Sequence, residues 1–202
     1  MILNNVSFCR YLADTDFSWC QENWDVSKIV RAIKGESFKG YTSLRIGGAL
    51  QRLDSEHRQV ATDWFVDRVG QTSLARDEYI LCPIPDSQCT PSSSHTPRTL
   101  VLARELRKRF PQLKVWPNLK FNKPMAKKIR NEEVLYQNMV CPASVPPGHL
   151  ILLDDVCTTG AHARAAQRRL IQSGARHMTA MSVTRTIVCP EAGIFGFRSD
   201  PL

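Results

Sequence analysis

The stretch ILLDDVCTTGAHARAA, residues 151–166, constrains the fold more than any other part of the sequence. An unbroken apolar run ends in Asp154 and Asp155, a Thr-Thr-Gly turn follows at once, and a helical segment that stops at Gly174 begins beyond it. A short continuous apolar run is the pattern of a strand buried on both faces. The segment MTAMSVT, residues 178–184, supplies another strand after the helix. Strand, helix and strand in this order predict an α/β class, with a mostly parallel sheet flanked by helices.

The same residues predict a site. Open α/β sheets bind ligands at the carboxyl ends of their strands, which is where Asp154 and Asp155 fall. Backbone N–H groups from Cys157, Thr158, Thr159, Gly160, Ala161 and His162 can converge on one phosphate, helped by the two threonine hydroxyls and the positive end of the helix dipole. Gly160 lets the backbone come close because it has no Cβ. The two carboxylates then lie about one sugar away, where they can accept hydrogen bonds from vicinal hydroxyls. They can also stabilise positive charge developing at an anomeric carbon. Capping of the helix explains an acid or a threonine singly, but not two acids and Thr-Thr-Gly in one row after a strand.

The rest of the chain is read more coarsely. Residues 1–25 have little periodicity and are expected to form an N-terminal extension, with Trp19 and Trp24 as packing anchors. Residues 26–202 are expected to form the main domain. Val26, Ile29, Val30 and Ile33 predict a short helix from Val26 to Lys34. A second helical stretch is expected from about Ser43 to Val69, broken near Asp54. YILCPI reads as a strand feeding the loop DSQCTPSSSHTPR, followed by a helix from Thr99 to Phe110 and a short strand at Leu113 to Trp116. Residues 117–148 are rich in proline and charge and look like an excursion from the sheet. The net charge is +8, yet residues 98–130 alone hold eleven of the 27 basic residues and one of the 19 acidic ones. That concentration points to an anionic partner, a phosphorylated metabolite or a nucleic acid. Seven scattered cysteines without a C-x-x-C pair argue against a disulfide framework and a zinc ribbon. No apolar run is long enough to span a bilayer, and no secretion signal is evident, so a cytoplasmic protein with no membrane role is expected.

ILLDDVCTTGAH resembles the 5-phosphoribosyl-1-pyrophosphate (PRPP) binding motif of type I phosphoribosyltransferases, and residues 26–187 look most like the ComF-type branch of that family. VSKIVRAIKG is similar to its early helix-and-Lys region, CPIP to the strand before its pyrophosphate loop, and RTLVLARELRKRF to the helix after it. What the resemblance implies is a sheet domain with a small hood at about 117–148 and an N-terminal helical extension. It also implies phosphoribosyl transfer from PRPP to an acceptor with release of pyrophosphate, and Mg²⁺ carried by PRPP. In that scheme Asp154 and Asp155 are catalytic, and Asp86, Ser87 and Gln88 form the pyrophosphate loop with Arg98 as its cation. Lys123, Lys127, Lys128 and Arg130 belong to the hood. His162 stands where the family usually has threonine or serine.

Three functions remain open on the sequence: a transferase, a weakly catalytic PRPP- or nucleotide-sensing module, and a nucleic-acid-associated protein. The last would use the 98–130 segment, with Trp116 and Phe121 stacking on bases. A homo-oligomer or a partner encoded in the same operon is compatible with each.

Overall fold

The structure is a computed structural model that describes residues 2–13, 16–126, 129–189, 191 and 193–202. In chain order it contains β1 (Asn4–Leu12), α1 (Gln21–Ile33), β2 (Thr42–Ile46), β3 (Ala49–Leu53), α2 (Gln59–Gly70), β4 (Ile80–Pro83), α3 (Arg98–Arg109), β5 (Lys114–Val115), β6 (Lys120–Phe121), α4 (Glu132–Asn138), β7 (Met139–Val140), β8 (His149–Cys157), α5 (Ala161–Gln172), β9 (His177–Ile187) and β10 (Phe195–Pro201).

Six strands form one sheet in the order β10-β1-β9-β8-β4-β5. Every pairing from β1 to β5 is parallel, and β10 alone runs antiparallel, against β1. This is the α/β class expected, with a mostly parallel sheet between helices. The central strands are apolar throughout because both faces are covered. On β8, Ile151 and Leu153 face one core with Leu102, Ala103 and Leu106 of α3 and Val26, Ile29 and Val30 of α1. Leu150 and Leu152 face a second core with Ala163, Ala166 and Leu170 of α5. The alternation along one strand is that of a pleated ribbon whose successive side chains point to opposite faces.

The N-terminal reading needs correction. Residues 4–12 are not a helical extension: β1 sits inside the sheet between β9 and β10, and Phe8, Cys9 and Leu12 are buried. Sequence pattern concealed this strand because its buried positions include the polar Asn5, Ser7 and Arg10, of which Asn5 and Arg10 find partners on neighbouring strands. Asn5 donates to the Ser182 hydroxyl at 3.1 Å, and Arg10 meets Asp200 at 2.6 Å. Helix α1 begins five residues before the expected Val26, and Trp24 lies on its exposed side rather than anchoring it.

The stretch from Ser43 to Val69 is likewise not one broken helix. Its first part is the hairpin β2–β3, registered with Ile46 opposite Ala49. Gly47 and Gly48 close it at φ +56° and +87°, as a two-residue turn with left-handed positions requires. Residues 117–148 do leave the sheet. They form the two-stranded β6–β7 pair and α4, whose Leu119, Phe121, Leu135 and Met139 join the α5-side core.

Candidate functional site

The chain turns in opposite directions after β4 and after β8. From β4 it crosses by α3 to β5 on one side, and from β8 it crosses by α5 to β9 on the other. A crevice must open between the carboxyl ends of two strands whose connections diverge, and such switch points are where doubly wound sheets bind ligands. Here the last ladder bond, from Ile84 N–H to the Leu153 carbonyl at 2.9 Å, brings the loop after β4 beside Asp154. The crevice has a volume of about 320 Å³.

One wall is the β8–α5 corner. Asp154, Asp155, Thr158 and His162 line the crevice directly, whereas Thr159 and Gly160 of the turn and Ala161 at the start of α5 do not. Cys157 is not part of that turn. It remains in β8, paired with Arg185 of β9, and its buried thiol is pushed up to about 12. The turn proper is therefore 158–160, and Gly160 caps α5 at φ +77°. A Cβ at Gly160 would lie 3.0 Å from both Arg164 Nη1 and Leu202 Cδ2, so this corner is packed from behind. The Thr159 hydroxyl accepts from the Ala161 N–H at 3.4 Å, and Arg164 donates to the Thr159 carbonyl at 2.9 Å.

Burial, the neighbouring Asp155 charge and a hydrogen bond that its protonated form donates to the Asp155 carboxylate hold the Asp154 carboxyl well above the usual carboxylate range, while Lys34 pulls it back. Burial pushes the His162 imidazole below its ordinary value, against the opposing pull of Asp155. His162 is thus more readily neutral than an exposed histidine, and its ring meets Phe121 edge-on at 6.5 Å between centroids.

The opposite wall brings together Asp86, Ser87 and Arg98 and leaves Gln88 exposed outside it. Two residues that sequence reasoning did not single out complete it. Lys34 projects from the C-terminus of α1, and Thr99 donates to the Ile84 carbonyl at 2.8 Å. The signal for Lys34 was the likeness of VSKIVRAIKG to a helix-and-Lys region, which places a lysine there without assigning it to a crevice. Asp86 Oδ2 lies 2.6 Å from Nε2 of His95, an ion pair or hydrogen bond at the crevice rim.

The hood supplies Phe121, Met125, Ile129, Arg130 and Leu135 to the crevice. Lys123 is exposed and outside the lining residues, and Lys127 and Lys128 lie outside the described residues. The hood is attached at both sides of the site. Phe121 and Met125 N–H groups donate to the Cys89 and Ser87 carbonyls at 2.9 and 2.8 Å, which pins it to the loop after β4. Glu132 of α4 meets Arg164 at 2.7 Å and Arg168 at 3.3 Å, and the Arg168 guanidinium lies 4.0 Å over the Tyr136 ring, which pins it to α5. Phe121 is completely buried, so the expected stacking of bases on it is ruled out by its position in the core, and Trp116 packs against the same cluster.

No family model matches the sequence, and no curated protein does. Among solved structures, the chain is similar to an orotate phosphoribosyltransferase from Aeropyrum pernix, with 17% identity and a TM-score of 0.39, over 78% of this chain and 81% of the other. It is also similar to a purine phosphoribosyltransferase from Pyrococcus horikoshii Ot3, with 17% identity and a TM-score of 0.35, over 63% of this chain and 90% of the other. At this level the likeness decides nothing about function.

Proposed function

We propose that the chain binds PRPP or a related 5-phosphoribosyl ligand in the β4–β8 crevice and transfers the phosphoribosyl group to an acceptor, releasing pyrophosphate. The observation that carries this reading is the set of groups that one crevice gathers. Thr158 and His162 come from the turn and the start of α5, Asp154 and Asp155 from the end of β8, and Lys34 and Arg98 from the end of α1 and the start of α3. A phosphate, a ribose and a diphosphate in one molecule call for such groups. The turn and helix N-terminus would hold the 5-phosphate through N–H groups and the Thr158 hydroxyl. The two carboxylates would accept hydrogen bonds from the ribose hydroxyls and oppose positive charge growing at the anomeric carbon as the diphosphate leaves. Lys34 and Arg98 would offset the charge of the departing group. Phe121, Met125 and Leu135 of the hood would exclude water from it.

Among the described residues no cluster of three or more His, Cys, Asp or Glu side chains is placed to hold a metal by itself. Asp154, Asp155 and Asp86 are hard oxygen donors at the crevice and fit a Mg²⁺ that arrives on the ligand. Such an ion would neutralise diphosphate charge.

Ligand sensing without turnover is the second reading. It is favoured by Asp86, a carboxylate on the wall where diphosphate would sit, engaged by His95. Calorimetric titration with PRPP and Mg²⁺ tests the site, and pyrophosphate release over a panel of bases separates the two readings. Binding on the order of micromolar is expected, and it should disappear when Asp154→Asn and Asp155→Asn are combined in a protein that still melts cooperatively. Unchanged affinity in that variant would remove the assignment.

A further inference from the structure

A second cavity of about 820 Å³ lies on the outer side of α1 and shares no lining residue with the crevice. Its walls are aromatic: Tyr11, Trp19, Trp24 and Phe38 all contribute. The indole rings of Trp19 and Trp24 are in tilted contact, 4.7 Å between centroids and 54° between planes, yet Trp24 is 53% exposed. A large aromatic surface left open while its neighbour holds it in place is a stacking platform rather than a core residue.

The charged lining of this cavity is of one sign. Lys28, Arg31 and Lys39 line it, and no acidic side chain does, among the described residues. Trp24, Lys28 and Arg31 follow one another at helical spacings of four and three, so a single face of α1 presents the indole and two cations together. Lys28 is tied to Asp25 at 3.6 Å and to the Tyr41 carbonyl at 2.9 Å, which fixes its ammonium at the rim. Arg31 is exposed, as is Lys39.

We propose that this cavity is a nucleotide-binding site, taking a free nucleotide with its base stacked on Trp24 and its phosphates on Arg31 and Lys39. Base stacking on an aromatic side chain beside cations that meet phosphate is the general chemistry of nucleotide recognition. A free nucleotide fits better than a strand because the basic patch is short. Glu22 and Asp25 precede the cations along α1, and Glu36 lies between Arg31 and Lys39, so carboxylates precede and interrupt the basic run along the chain where a longer polyanion would have to run. The volume falls within the range of small-molecule pockets, about 300 to 1,000 Å³.

The test is calorimetric titration with ATP, adenosine, inorganic triphosphate and oligothymidylate, performed in the Asp154→Asn/Asp155→Asn background so that the crevice does not contribute. ATP should bind more tightly than either adenosine or triphosphate. Its affinity should fall about tenfold with Trp24→Ala, and by a similar factor with Arg31→Gln and Lys39→Gln combined. Both variants alter exposed side chains, and unchanged melting temperatures will show that the fold is intact. The proposal is overturned by absence of ATP binding, by an affinity that neither variant changes, or by oligothymidylate binding more tightly than ATP. Binding to the wild type that vanishes in the background variant would place the nucleotide in the crevice and would equally overturn it.

Discussion

One wall of the crevice is a single run of chain, from Asp154 at the end of β8 to His162 in the first turn of α5. The other is assembled from Lys34, Asp86–Ser87, Arg98–Thr99 and the hood, four stretches separated by up to a hundred residues. The first wall depends on local conformation, a strand end, a left-handed glycine and a helix start. The second depends on the cores that bring α1, α3 and the hood to the same place. The contrast teaches that the two walls are held by different physics, local in one and tertiary in the other, and that each can be damaged without the other.

The largest effect should come from removing the support of the assembled wall. Phe121→Ala, at a fully buried ring in the α5-side core, should cost about 3–5 kcal/mol in urea unfolding. A cost below about 1 kcal/mol would mean that the hood does not rest on that core. Gly160→Val should act next, and on the contiguous wall alone. The φ of +77° disfavours any side chain, and the new atoms would meet Arg164 and Leu202, so ribose 5-phosphate affinity should fall about tenfold or more. Full affinity in this variant would show that the turn does not hold the phosphate.

Arg98→Gln should divide the walls by ligand. PRPP affinity should drop about tenfold by loss of a charge-assisted contact, while ribose 5-phosphate, which lacks the diphosphate, should bind as before. Equal losses for both would erase the distinction. The smallest effect should be stabilising. The folded-state pKa of Asp154 is raised above its unfolded value, so ionising it at neutral pH works against the folded state, and that penalty is absent below the unfolded pKa. Asp154→Asn should therefore melt above wild type at neutral pH, with the gap closing as pH falls toward about 4. A gap that widens on acidification would contradict the raised pKa.

The same contrast accounts for what could be read in the sequence. The β8–α5–β9 unit was legible because an apolar run, two acids, a Thr-Thr-Gly turn and a helix are consecutive, and local sequence is sufficient to specify them. Lys34 was not, because its role depends on where α1 docks. Strand β1 was hidden by the polar Asn5, Ser7 and Arg10, all buried in the sheet, where Asn5 and Arg10 meet Ser182 and Asp200 from the far end of the chain. Hairpin β2–β3 was mistaken for helix because Leu50 and Leu53 stand at a helical spacing of three, whereas Gly47-Gly48 was the turn signal that outweighs it. Trp24 looked like an anchor because tryptophan is usually buried. Here its exposure marks a surface instead.

The central claim is that the turn between β8 and α5 is the seat of a ribose 5-phosphate. Backbone amide chemical shifts followed by NMR during titration with ribose 5-phosphate test it most directly. The account predicts that the largest shifts fall on Thr158 to His162, with smaller ones at Asp154 and Asp155. Saturable binding that leaves those amides unmoved would contradict it.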